Sequence, residues 1–259
     1  MIPRRAVALT ERDGFHLLEL HDDDELMARG VILALGVQYR RLPIPGLADY
    51  EGLGVTYAAD SAREQLREGD DAVVVGGANS AGQAALALAE EGRHVYLVVR
   101  ENTLARTMAA YLRTRIAHDR SVEPLLGHEV RGLEGEDHLE RVVVEETSSG
   151  RGRTLSAGVL VVLIGATPHT DWLQDAIELD ADGFVLTGPA LGTGLRDHEP
   201  WNQLGRDPFL LETSLPGVFG VGDVRAGGTR MAAPAVGEGG MAVRFAAEHL
   251  VRTSGAPAA

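Results

Sequence analysis

The sequence predicts an α/β fold in which one strand–turn–helix unit is inserted into a second, incomplete one, each with its own β-meander. Three observations predict it. Residues 71–81 read as a buried strand, a glycine turn and a helix start. Residues 15–36 and 128–165 are each a meander running into an apolar strand. Residues 213–240 read as a strand that ends in Gly-Asp and leads to a helix.

Composition narrows the class. Of 259 residues, 44% are apolar and 24% charged, enough for a real core in one large domain or two modest ones. The formal charge is −14 and every basic residue is Arg. That acidic balance argues against nucleic-acid or anionic-membrane partners. There are no cysteines, which removes disulfides, iron–sulfur clusters, thiolate zinc sites and thiol nucleophiles. No apolar run reaches the roughly 18 residues of a membrane span. Met1-Ile2-Pro3-Arg4-Arg5 lacks the apolar core of a signal peptide, so a cytoplasmic location is expected.

The elements follow in order. Phe15 to Leu20 is a strand, 21–24 a polar turn, Leu26 to Ala28 its return, and Gly30 to Gly36 an apolar run suited to a strand buried on both faces. Pro43, Pro45 and Gly46 mark 37–53 as a linker. Asp71 to Val75 is the next strand and Asn79 to Glu91 a helix that Gly92 can end. His94 to Val99 is a strand, and Thr103 to His118 has helical spacing. A meander through 128–133 and 139–146, turning at Ser148-Ser149-Gly150, closes into Gly158 to Gly165. Residues 191–204 lack periodicity and read as a surface loop. Val218 to Val221 is a strand, Gly239 to Val251 the last helix and Ser254 to Ala259 a frayed tail. The second meander follows a full βαβ unit and the first does not. The simplest reading is that the first copy lacks such a unit of about 30 residues; the alternative is that two meanders merely look alike.

The strongest chemical signal is Gly76-Gly77-Ala78-Asn79-Ser80-Ala81. It keeps the G-x-G-x-x-G/A register, with Ala78 in place of the second Gly. Gly76 permits the tight turn, Ala81 lets the helix pack on the sheet, and the helix-start N–H groups attract a pyrophosphate. The Ala78 methyl stands where that phosphate approaches. Arg100 ends the next strand, where a carboxylate would hold the ribose of NAD; an Arg instead suits the 2′-phosphate of NADP, with Arg106 adding to it. A solvated strand-end Arg is the alternative. Gly222-Asp223 places a carboxylate at a strand end, and Val236-Gly237 lie where the last helix opens. The nine His show no metal-ligand spacing, so no metal is expected. Ser80 has no G-x-S-x-G context.

These stretches resemble the pyridine-nucleotide–disulfide oxidoreductase superfamily, and within it thioredoxin-reductase-like proteins. Gly76 to Ala81 resembles their Gly-Gly-Gly-Asn-Ser-Ala turn for NADPH, Gly165-Ala166-Thr167-Pro168-His169-Thr170 their Gly-x-x-Pro-Asn-Thr, and Ala34-Leu35-Gly36 their Ala-Thr-Gly. The resemblance runs over essentially the whole chain. It implies a Rossmann-like NAD(P)H domain at 53–190 inserted in a partial FAD-binding domain at 1–50 and 205–259. It implies that Asp223 binds the FAD ribitol, that Val236 to Gly239 lie near the flavin ring, and that the chain forms a homodimer.

Two departures stand out. The resemblance implies an N-terminal strand–G-x-G-x-x-G–helix for FAD, which this sequence lacks; a misplaced start, a split gene or a decayed gene would each account for that. Ala58 and Ser61 stand where the family carries its Cys-x-x-Cys, and neither can relay a disulfide. The expected activity is hydride transfer from NADPH to FAD and on to an unknown non-disulfide acceptor, with a complementing N-terminal fragment as a possible partner. The alternative is a non-catalytic module, a truncated remnant or regulator that binds NADPH or a protein.

Overall fold

A computed structural model describes residues 4–192, 194–197 and 199–253. The chain forms two compact units, one of Met1–Gln38 with Ala166–Ala259, the other of Tyr39–Gly165.

The first unit opens with β1 (Ala6–Arg12), β2 (Phe15–Leu20) and β3 (Glu25–Ala28), an antiparallel meander in which Leu9 faces Leu18 and Leu17 faces Met27. Asp13 and Gly14 join β1 to β2 with φ of 54° and 76°, the left-handed pair that suits a tight hairpin. β4 (Val31–Leu33) follows, then β5 (Val37–Tyr39), where the chain leaves this unit.

The second unit is a five-stranded parallel sheet. Its strands are β6 (Val55–Thr56), β7 (Ala72–Val75), β8 (Val95–Val99), β9 (Val122–Leu126) and β13 (Val159–Val162), in the order β6-β13-β7-β8-β9. The helices α1 (Ala59–Gln65), α2 (Asn79–Glu90) and α3 (Ala110–His118) connect strands. Ala84, Ala85, Leu88, Leu112 and Ile116 from α2 and α3 cover one face against Val74 and Leu97. A meander of β10 (His128–Glu134), β11 (Arg141–Glu146) and β12 (Gly152–Ser156) covers the other, through Val130, Val142, Val144 and Leu155 against Val73, Val75 and Leu160. Both faces being covered explains why Ala72 to Val75 and Val159 to Val162 are apolar throughout.

The first unit resumes with β14 (Ala166–Pro168), α4 (Trp201–Leu204), β15 (Val218–Gly220) and α5 (Ala232–Thr253). β15 lies parallel to β4, pairing Val218 with Val31 and Gly220 with Leu33. Ala242, Phe245 and Ala246 of α5 pack on Phe219 and Val221.

Several expectations change. α5 starts at Ala232, seven residues before the expected Gly239, because Pro234 falls in its first turn, where a missing N–H costs nothing. The helix expected over Thr103–His118 is α3 alone; 103–109 is irregular. α1 and β1 were not foreseen. The compact unit runs 39–165 and not 53–190. Leu42, Ile44 and Leu47 pack into its meander-side core. Leu173, Ile177 and Val185 pack instead with Leu9, Val31 and Val218 of the first unit. The expected loop at 191–204 buries Trp201, whose indole N–H donates to the Ser214 carbonyl at 2.7 Å. Residues 193, 198, the tail 254–259 and Met1 to Pro3 lie outside the described residues.

The first unit also buries two imidazoles. His16 on β2 hydrogen-bonds the Pro216 carbonyl, and its Nδ1 has no partner. His249 on α5 faces Glu212, Arg206, His16 and Arg29. A Cβ on Gly217 would lie 2.6 Å from His249 Nε2 and 2.9 Å from His16 Nε2, so both rings close on this glycine. Burial lowers both His pKa values from the ordinary 6.5, although Glu11 beside His16 and Glu212 beside His249 pull the other way. The unfolded chain therefore takes up protons at higher pH than the folded one. Stability is full above the ordinary His value and declines as pH falls below 6.5. Melting temperature is expected to drop between neutral and mildly acidic buffer, and less so in His16→Gln. An identical drop in that variant would remove His16 from the account.

Candidate functional site

Two loci carry the expected binding residues, one in each unit. In the second unit, β7 ends at Val75 and the chain turns at Gly76 with φ +147°, backbone that L side chains rarely adopt. A Cβ there would also strike the Leu163 carbonyl and come within 3.0 Å of Ala81 Cβ. Ala81 is fully buried against the sheet, the small residue that the expected packing requires. Ala78 is the N-cap, extended at φ −97°, with no side-chain cap on the helix. Ala78, Asn79 and Ser80 are exposed, so the opening of α2 is accessible from solvent. This is an open glycine turn at a helix start, with the Ala78 methyl beside it.

The segment after β8 is tied to this turn. The Thr107 hydroxyl donates to the Gly77 carbonyl at 2.8 Å, and the Ala109 N–H donates to Asn79 Oδ1 at 2.8 Å. Asn79 thus also positions the loop. Arg100 follows the last residue of β8 and is exposed; Arg106 lies on the loop. Both face Glu101, at 3.8 and 3.2 Å. Sequence reasoning passed over Glu101 and Thr107, although both neighbour residues it singled out.

Elsewhere in this unit, Ala58 is the N-cap of α1 and Ser61 sits in its first turn. Beside them the Tyr57 hydroxyl donates to Glu51 at 2.6 Å, and burial together with that carboxylate pushes its pKa up to about 12. Tyr57 stacks on Tyr39 with ring centroids 5.8 Å apart. Gly165 turns with φ +107° and its carbonyl accepts the Arg40 N–H at 3.0 Å.

In the first unit, Gly222 (φ +71°) follows β15 by one residue and Asp223 is half-buried beside it. The Gly222 N–H donates to Glu238 Oε2 at 2.7 Å, and Arg225 pairs with the other oxygen of that carboxylate. The Arg225 and Gly222 donors hold the Glu238 pKa below the usual carboxylate value despite its burial. Val236 and Gly237 lie within α5 and not at its opening; Val236 is 77% exposed, and a Cβ on Gly237 would meet nothing within 4 Å. The half-buried Asp223 carboxylate and the open stretch at Val236-Gly237 are compatible with a polyhydroxyl chain and a flat ring. Glu238, which sets this turn, lies inside the expected Val236 to Gly239 stretch but was given no role of its own there.

Among the described residues no group of three or more His, Cys, Asp or Glu is placed to hold a metal ion, and no helix is long and apolar enough to cross a membrane.

The pyridine nucleotide-disulphide oxidoreductase family matches residues 3–239. The chain belongs to that family. A thioredoxin reductase of Neurospora crassa is 31% identical over 94% of this chain and 69% of that protein. A 34.2 kDa protein in the rubredoxin operon of Clostridium pasteurianum is 28% identical over 90% of this chain and 71% of its own length. The crystal structure of thioredoxin reductase from Streptococcus pyogenes MGAS5005 superposes with a TM-score of 0.76 at 26% identity, over 95% of this chain and 73% of the other. The chain is therefore a thioredoxin-reductase-like member of a flavoprotein oxidoreductase family whose members use FAD and NAD(P), with the mixed parallel and antiparallel α/β fold of those relatives.

Proposed function

We propose that this chain takes part in electron transfer from NADPH to flavin and on to an acceptor that is not a disulfide. The observation that carries the reading is the Gly76–Ala81 turn, which opens the exposed N-terminus of α2 at the end of a parallel sheet in a chain without cysteine. Gly77, Ala78, Asn79 and Ser80 hold the pyrophosphate by backbone N–H groups and the α2 dipole, while Gly76 makes the turn and Ala81 packs the helix on the sheet. Arg100 and Arg106 face the 2′-phosphate. Gly165 shapes the turn after the last parallel strand. Asp223, beside Gly222, accepts hydrogen bonds from ribitol hydroxyls, and Val236 with Gly237 lies against the ring. When bound, the flavin supplies the hydride chemistry. Ala58 and Ser61 leave no thiol to receive the electrons, so oxygen, a quinone or an iron–sulfur protein takes that place.

Incubation with excess FAD, desalting and a visible spectrum tests this. A retained flavin band that NADPH bleaches without added thiol substrate is the expected result. A band that NADPH leaves unchanged, or a colourless protein even after a strand–G-x-G-x-x-G–helix fragment is supplied, overturns the catalytic reading. Ala78→Gly removes the methyl at the phosphate's approach, and Gly is itself a good N-cap. NADPH is expected to bind roughly threefold tighter with melting temperature nearly unchanged. Calorimetric titration reads this directly, and weaker binding would place the phosphate elsewhere.

A second reading, a nucleotide-binding module that acts on a partner, is favoured by the apolar side chains that α5 exposes. Val236 is 77% and Val243 61% accessible, one helical face apart by seven residues. NADPH binding without flavin retention supports it.

A further inference from the structure

The glycine turn is joined to β8 by the Gly76 N–H donated to the Val98 carbonyl (3.0 Å), and the loop after β8 stands beside it through the Thr107 bond to Gly77 and the Ala109 bond to Asn79. In a dinucleotide fold this is where the adenine-side ribose lies once the pyrophosphate sits on the helix. Three charged side chains share that position. Glu101 Oε2 is 3.2 Å from Arg106 Nη1, and Glu101 Oε1 is 3.8 Å from Arg100 Nη2. The backbone of Glu101 is fixed, its carbonyl accepting the Gly127 N–H at 3.1 Å. The side chains themselves are well exposed, so the two ion pairs are weak and exchange readily with a ligand.

We propose that Glu101 sets the nicotinamide preference, its carboxylate competing with a ribose 2′-phosphate for Arg100 and Arg106 and accepting a hydrogen bond from a free 2′-hydroxyl. The inference rests on the NAD(P)H reading of the Gly76–Ala81 turn. A 2′-phosphate entering here displaces the carboxylate from both guanidiniums and then stays close to that like charge. A 2′-hydroxyl meets neither cost and donates to the carboxylate. Two guanidiniums alone would give strong NADPH selection; with Glu101 between them, NADH is a second substrate of comparable affinity.

The test is calorimetric titration of the full chain and of Glu101→Gln with NADPH and with NADH. Glu101→Gln is expected to bind NADPH on the order of tenfold tighter and NADH roughly threefold weaker. Adding Arg100→Ala and Arg106→Ala to Glu101→Gln is expected to abolish the NADPH gain. If both nucleotides bind and Glu101→Gln leaves their ratio unchanged, or if the gain survives loss of both arginines, the inference is overturned and the nucleotide site stands. If neither nucleotide binds to protein whose circular dichroism shows it folded, the site and the inference fall together.

Discussion

Gly76→Val is expected to destabilise the 39–165 unit strongly and to abolish nucleotide binding at its distorted turn. The position combines two independent prohibitions. Its φ of +147° strains any L side chain, at about 1–3 kcal/mol. Its Cβ would strike the Leu163 carbonyl oxygen and approach Ala81 Cβ to 3.0 Å. Neither neighbour can yield. Leu163 follows β13, with its N–H bonded to the Val75 carbonyl at 2.8 Å, and Ala81 is fully buried. A β-branched residue adds two further methyl groups to that collision. The expected cost is about 4 kcal/mol or more, which for a chain of this size lowers the melting temperature by about 10 °C. The adjacent Gly77 is the control. It has no positive φ, and a Cβ there would meet Val99 Cγ1 at 3.2 Å and Thr107 Oγ1 at 3.7 Å, side-chain atoms that can shift. Gly77→Ala is expected to cost about 1 kcal/mol or less. Thermal melts of the two variants side by side check the argument. Equal losses would mean that the turn is not pinned by β13.

What the sequence made legible follows from where local and tertiary demands agree. α2 was readable within one residue because its alanines and leucines fall on one face and Gly92 ends it. The same logic misled over Thr103–Ala109. Leu104, Met108 and Leu112 keep helical spacing, and all three do pack against the α2 side of the core, but Leu104 and Met108 reach it from a loop. That loop is held by Thr107 on Gly77 and Ala109 on Asn79, two bonds across 30 residues that no local pattern announces. β1 was missed because Leu9 is its one deeply buried side chain, leaving no alternation to see. α5 begins before the expected Gly239 because the packing of Ala242, Phe245 and Ala246 outweighs the weak helix propensity of Pro234 and Gly237. At the candidate site, the glycine turn was legible because glycine is the residue its backbone needs. Glu101 and Glu238 were not, because a carboxylate in sequence looks the same whether it caps a turn, bridges two arginines or faces water.

Glu212 is the extreme of that blindness, and its removal carries the second large effect. It is fully buried, and its two oxygens accept four hydrogen bonds: from Arg206 at 2.6 and 2.8 Å, from the Phe209 N–H at 2.9 Å and from the Gly217 N–H at 2.8 Å. Arg206 is itself only 12% exposed and lies over the Phe209 ring at 4.3 Å. Glu212→Ala leaves a guanidinium and two backbone N–H groups without their acceptor, beside His249, which burial already holds toward the neutral form. The expected loss is about 3–5 kcal/mol, most of it the cost of the stranded groups and not the worth of the pair. That distinction is testable. Replacing both partners, as Arg206→Met with Glu212→Leu, removes the stranded guanidinium together with the carboxylate and leaves the Phe209 and Gly217 N–H groups and His249 Nδ1 without those partners. The double variant is expected to recover more than half of the loss. For contrast, Arg151 and Glu146 pair at 3.1 Å on the surface of the other unit, and Glu146→Ala is expected to leave the denaturation midpoint nearly unchanged. Urea denaturation of the three variants reads the differences. A double variant no more stable than Glu212→Ala would mean that the two N–H groups, and not the buried charge, make this carboxylate indispensable.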